Sequence, residues 1–219
     1  MQQRFNFLAP ATQSGLLRLG DAEFVAGRLR DGGLAVLPTE TGYMLAALAT
    51  SLPALRAAFD VKERDYAHAM HVACASIGMA ARYARLSADA RRLMGAFTPG
   101  PLTVVAQQTG ALPDEMVTLG GTVGIRVPDH PATLQVIATL DAPITATSLN
   151  RSGEETRPFD RDLLEELPWG DAHDIPVVED KAAVRYAAAS TLVRLTGPAP
   201  EVLRQGPITA DQIAAALER

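Results

Sequence analysis

Short runs of apolar and β-branched residues recur along the chain, and each ends abruptly in hydroxyl, amide or charged residues. Leu34–Leu37 runs into Pro38-Thr-Glu-Thr-Gly-Tyr43, Val123–Val127 carries an arginine and stops at Pro128, and Pro143–Thr147 opens onto Ser148-Leu-Asn-Arg-Ser-Gly153. Runs this short, with little polar alternation, are the pattern of strands buried on at least one face. Further strands are expected over Tyr43–Thr50, Met70–Ser76, Leu102–Gln107, Ile175–Val178, Ser190–Leu195 and Glu201–Leu203. Helical spacing lies between them. Asp21–Arg30 sets Phe24, Val25 and Leu29 on one side and is stopped by Gly32-Gly33. Ser51 caps a helix with Pro53 in its first turn, two short helices lead to Ala96, and His130–Leu140 forms another. Thr209 and Gln212 have the spacing of a capping box for a terminal helix. Strands alternating with helices predict an α/β fold on a mixed sheet. No repeat or long linker divides the chain, so residues 1–219 read as a single domain with a tail-like stretch over 1–20.

Composition narrows the function classes. A chain of 219 residues buries roughly 70% of its unfolded surface, enough for a full core. Its 20 Lys and Arg against 25 Asp and Glu give a net charge of −5, which argues against bulk coating of nucleic acid while leaving room for a local basic patch. One cysteine makes no internal disulfide, and with four histidines it makes a structural zinc site a poor expectation. No apolar run reaches about 18 residues, and the first residues lack a basic start followed by an apolar stretch. A cytoplasmic protein without membrane contact is expected.

Four loops hold groups suited to chemistry. Thr39, Glu40 and Thr41 follow directly on a buried strand, where an open α/β sheet takes its ligands. Lys62 and Arg64 close a helix; converging in a terminating coil they suit a polyphosphate, and on the helix end they simply complement its dipole. Arg126 in an apolar strand is costly to bury unless an anion meets it, or else points out of a half-exposed strand. Ser148, Asn150, Ser152 and Gly153 offer small donors to phosphate oxygens, or make an ordinary polar turn. No Walker loop occurs. Cys74 inside a strand pattern reads as a buried, inert thiol, and His68, His71, His130 and His173 show no metal-ligand spacing. The acids of residues 160–168 read as a solvated helix face.

Taken in order, these loops resemble the YrdC-like family of threonylcarbamoyl-AMP synthases. The patterns P-T-[ED]-T-x-Y-G-L-G, K-x-R, W-P-G-P-L-T, G-[IV]-R-x-P and S-x-N-x-S-G appear here as PTETGYMLA, KER, FTPGPLTVV, GIRVP and SLNRSG. Ser190 and Thr191 of ASTLV, with Arg204 and Gly206 of LRQG, extend the likeness, which runs from about Gly32 to Pro207. The resemblance implies a twisted mixed sheet with flanking helices around a concave, positively lined cavity. It implies a nucleotidyltransferase that combines L-threonine, bicarbonate and ATP, with Mg²⁺ carried by the nucleotide, into threonylcarbamoyl-AMP and pyrophosphate for tRNA adenosine modification.

Residue by residue, the resemblance assigns Lys62, Arg64, Ser148 and Asn150 to catalysis and Thr41, Arg126 and Ser190 to the amino acid, with Arg126 pairing its carboxylate. It assigns Lys62, Thr122, Ser148, Thr156 and Arg204 to ATP, and no residue to a metal. The chain departs from the pattern at Met44 and Ala46, where the family has glycines, and at Asp65, where it has proline. His68 and Ala73 stand for Asn and His, and Arg194 for an acid. The amino acid therefore stays open between threonine and another small one. The partners expected beyond the substrates are tRNA or double-stranded RNA and tRNA-modification proteins, and a double-stranded-RNA-binding module without catalysis is the alternative.

Overall fold

Serine and threonine N-caps mark where helices begin in the computed structural model, which describes residues 4–113, 116–150, 158–180 and 182–218. In chain order the elements are β1 (Phe5–Leu8), α1 (Leu19–Arg30), β2 (Leu34–Thr39), β3 (Gly42–Ala47), α2 (Leu52–Lys62), β4 (Val72–Ala73), α3 (Ile77–Tyr83), β5 (Ala84–Arg85) and α4 (Ala88–Phe97). They continue as β6 (Leu102–Gln108), β7 (Thr122–Arg126), α5 (Pro131–Leu140), β8 (Ile144–Thr145), β9 (Thr147–Ser148) and α6 (Asp162–Glu165). The last are β10 (Ile175–Val178), β11 (Thr191–Arg194), β12 (Glu201–Arg204) and α7 (Ala210–Leu217). The side chains of Ser51, Ser76 and Ser87 each accept a first-turn N–H, and Thr209 with Gln212 closes the expected capping box.

The fold is mixed α/β, as expected, but its strands divide between two sheets. One runs β1-β10-β2-β3-β9; the other runs β12-β11-β6-β7-β4-β8, with β5 added to β6. Parallel and antiparallel pairs occur in both. The expected strand Pro143–Thr147 is where the sheets meet. Its first half pairs with β4, the Ala146 N–H turns away to donate to the His71 carbonyl at 2.7 Å, and β9 pairs with β3. The Thr145 hydroxyl, donating to Leu45 O and accepting from Ala47 N, ties the two sheets beneath that step.

Three other sequence expectations shift. Pro38 does not end its strand: β2 continues to Thr39, and the missing N–H falls one residue from the strand end, where it removes at most a terminal rung. The expected strand over Met70–Ser76 shrinks to Val72–Ala73, extended by single bonds from Met70 N to Met116 O and from Cys74 N to Arg126 O. Within the stretch expected to be tail-like, Phe5–Leu8 forms an edge strand parallel to β10, its Phe5 ring buried edge-on against Trp169 at 5.3 Å. Cys74 is fully buried, and burial pushes its thiol up to about 12. The short helix α6 turns Leu163 and Leu164 inward and leaves Asp160, Asp162, Glu165 and Glu166 exposed, as the pattern predicts. Among the described residues no helix is long and apolar enough to cross a membrane.

Candidate active site

A hairpin sets the first wall. β2 and β3 pair through Thr39↔Gly42, leaving Glu40 and Thr41 as a two-residue turn. Glu40 is fully buried; its carboxylate accepts from Arg126 Nη2 at 2.6 Å and from the Asp129 N–H at 2.8 Å. Its carbonyl accepts the N–H groups of Arg185 and Tyr186, which hold the segment leading to Ser190 across the hairpin. The anion that burial of Arg126 demands is therefore supplied first by the chain itself. Arg126 Nη1 also donates to Thr41 Oγ1 at 3.2 Å, and Arg126 Nε has no partner among the described residues.

The end of α2 sets the second wall. Glu63 takes a left-handed turn at φ 49 that ends the helix between Lys62 and Arg64. Lys62 is buried, and its ammonium donates to the carbonyls of Ser148 and Asn150 and, at 3.3 Å, to Asn150 Oδ1. That excludes the simpler reading in which it serves the helix dipole: its charge lies under the Ser148–Asn150 loop. The Ser148 hydroxyl donates to Asn150 Oδ1, closing the same cluster. Arg64 donates to the carbonyls of His68 at 2.7 Å and Ala69 at 3.2 Å, and burial lowers its pKa.

The third wall is β11 with its hairpin partner. Ser190 shares a hydrogen bond with Thr103 Oγ1 at 2.7 Å. Arg204 donates through Nε and Nη2 to Ser190 O at 3.1 and 2.9 Å and through Nη2 to Ser190 Oγ at 3.2 Å. Burial, and then the charge on Arg126, lower the Arg204 pKa.

These walls enclose a cavity of about 280 Å³. Thr41, Lys62, Arg64, Arg126, Ser148, Asn150, Ser190 and Arg204 all line it. No carboxylate does so among the described residues, which leaves the cavity strongly positive in a chain of net charge −5. Thr122 lies apart from the cavity: its hydroxyl donates to Leu119 O at 2.7 Å, and it faces an adjoining, more apolar groove of about 250 Å³. Arg64, Ala69, Met70 and His71 border both hollows, so the two adjoin along these residues. Thr156 lies outside the described residues. Met44 borders the cavity beside Ser148, its cross-strand partner, while Ala46 and Ala73 are buried away from it. His68 and Arg194 border the groove. Among the described residues no group of three or more His, Cys, Asp or Glu could hold a metal ion.

The Sua5/YciO/YrdC family model, described as telomere recombination, matches residues 28–206. The chain belongs to this family. A Sua5/YciO/YrdC relative from Pyrococcus abyssi named threonylcarbamoyl-AMP synthase is 32% identical over 191 residues, 86% of this chain and 54% of that protein. One from Bacillus subtilis with the same name is 31% identical over 194 residues, 88% of this chain and 55% of its own length. This chain thus spans just over half of those two relatives. A Mycobacterium tuberculosis protein that carries the name provisionally is 32% identical over 192 residues and matches across 87% of this chain and 86% of its own. Among solved structures, P. abyssi Sua5 with L-threonine superposes at a TM-score of 0.85, with 27% identity over 97% of this chain and 60% of that one. Escherichia coli YciO shares the fold at 0.79, with 23% identity over 94% and 96%.

Sequence reasoning passed over two features of this Sua5/YciO/YrdC site. One is Glu40 as the internal partner of Arg126; a lone acid in a tight hairpin after a buried strand was the available signal. The other is His71, set aside for lack of metal-ligand spacing, which borders both hollows.

Proposed function

We propose that this chain is an ATP-dependent threonylcarbamoyl-AMP synthase. The observation that carries this reading is the meeting of Lys62, Arg64, Arg126 and Arg204 with the hydroxyls and amides of Thr41, Ser148, Asn150 and Ser190 around one cavity. The amino acid, carbamoylated by bicarbonate on its nitrogen, presents a carbamate oxygen to the α-phosphorus of ATP. A P–O bond forms there, the bond to the β-phosphate breaks, and pyrophosphate leaves. Negative charge accumulates on the phosphates as this happens. Cations fixed beforehand by carbonyl groups, as Lys62 and Arg64 are, stabilise it with little reorganisation. Mg²⁺ enters as part of the nucleotide substrate.

Thr41, Ser190 and the edge of Arg126 left open by Glu40 hold the amino acid; Arg204, Ser148 and Lys62 hold the nucleotide, with Thr122 toward the adjoining groove, and Thr156 is assigned to it by the resemblance alone. The hollow is suited to positioning, which is most of what this chemistry requires. The product serves tRNA adenosine modification. In the test, pyrophosphate is followed with purified protein, ATP·Mg²⁺, bicarbonate and a panel of small amino acids. Release that requires all three substrates, with threonine among the accepted amino acids, is expected. Folded protein that releases none with any amino acid overturns the reading.

A further inference from the structure

His71 stands immediately before β4, with its ring packed on the backbone of Gly124 in β7. A Cβ at position 124 would lie 3.0 Å from His71 Cγ, 3.1 Å from Nε2 and closer still to Cδ2, so the slot for the ring exists only because residue 124 is glycine. His71 borders both the cavity and the groove. The titratable groups lining the cavity are Tyr43, Lys62, Arg64, His71, Arg126 and Arg204. Four of these are cations without a lone pair to offer. The Tyr43 hydroxyl accepts the Asp180 N–H at 2.8 Å, and burial pushes its pKa up to about 12.

His71 is different. Burial first, and then the charges of Arg204, Arg126 and Arg64, push it down to about 4, so at neutral pH it is an uncharged imidazole with one free lone pair. We propose that His71 accepts the proton of the amino-acid substrate's ammonium group, a step that rests on the synthase reading above. The chemistry calls for such a group. An ammonium nitrogen has no electron pair with which to attack carbon, and among four cations it is poorly placed. Transfer of one proton to His71 leaves a neutral amine and an imidazolium. The amine nitrogen then forms its bond to the bicarbonate carbon, the C–OH bond breaks, and the departing hydroxide takes a second proton from the nitrogen to leave as water. The carbamate remains, and the imidazolium returns its proton to solvent.

The charge balance also supplies an order of events. Burial is the larger cause of the lowered His71 pKa and stays in place, but the polyphosphate of ATP offsets the guanidinium charges that add to it, so the imidazole gains proton affinity when the nucleotide is bound.

The test compares wild type with His71→Gln, which keeps a polar side chain of similar reach but cannot take the proton. At pH 7 with saturating ATP and bicarbonate, His71→Gln is expected to lose about 100-fold in pyrophosphate release. Its KM for ATP stays near the wild-type value, and its rate climbs with pH as free amine becomes populated in solution. A variant within threefold of wild type, with the same dependence on pH, overturns the proposal. Should His71→Gln fail to fold, the His71 ring is titrated by NMR in the wild-type protein with and without a non-hydrolysable ATP analogue. A rise in its pKa on binding is expected, and an unmoved pKa overturns the proposal. A wild type inert with every amino acid removes the synthase reading and this step together. An active wild type beside an unimpaired variant removes the role of His71 alone.

Discussion

At the scale of single residues, the site is governed by how buried charges find partners. Glu40 and Arg126 are both buried and 2.6 Å apart, and Glu40 takes a further N–H from Asp129. A pair of this kind contributes little net stability compared with an apolar replacement, yet removing one member leaves the other buried and uncompensated. Glu40→Gln is therefore expected to lower the free energy of unfolding by about 3 kcal/mol in a urea titration. Glu40→Gln combined with Arg126→Gln should lose less than the sum of the two single changes; simple additivity would mean the charges do not interact. Lys62 follows the same logic with different partners. Lys62→Met keeps the aliphatic stem but strips the donor from the carbonyls of Ser148 and Asn150. It is expected to abolish pyrophosphate release and to cost about 2 kcal/mol of stability, read by the same titration. A stable but inactive Lys62→Met would show that the loop holds its shape without the ammonium.

At the scale of elements, the cavity depends on close backbone approaches that admit no side chain. Gly206 passes the segment before β11 so tightly that a Cβ would lie 2.5 Å from Thr191 N, 2.7 Å from the Ser190 carbonyl carbon, and nearer still to Ala189 O. Every one of these is backbone, so nothing can rotate away. Gly206→Ala is expected to shift Ser190 and Arg204, to destabilise by about 2 kcal/mol, and to raise the KM for ATP. An unchanged melting temperature would contradict this. Helix boundaries were legible where their signals are local: Ser51 and the Thr209–Gln212 pair act within one turn of themselves. Short strands were not. β8 and β9 hold two residues each and are separated by a bond from Ala146 to His71, 75 positions earlier in the chain, and no local pattern encodes a sheet-to-sheet step of that kind. The edge strand β1 was hidden for a related reason, since its partner β10 lies about 170 residues away.

At the scale of the whole molecule, the four motif loops meet at one cavity, and the order of their motifs made that expectation readable before any coordinates. What the order did not carry was how charge is shared inside the cavity, because Glu40 and His71 acquire their roles only from neighbours distant in sequence. That sharing has a consequence for stability against pH. The imidazole of His71 ordinarily titrates near 6.5 and is held at about 4 in the folded chain, and burial also lowers His130, with Asp180 opposing. Between these values the unfolded chain binds a proton at His71 that the folded chain refuses, so stability is full above pH 6.5 and is lost as pH falls toward 4. The loss from His71 is roughly 2 kcal/mol once water reaching the ring is allowed for. Repulsion from net charge does not mimic it, because the chain's pI of about 5.4 lies inside this window, where net charge is smallest. Urea midpoints measured from pH 7 to pH 4 should therefore fall for the wild type, and His71→Gln should flatten that limb by the stated amount. Equal slopes for the two proteins would mean that His71 keeps its ordinary affinity for protons, and that neither burial nor the cavity's guanidinium groups act on it.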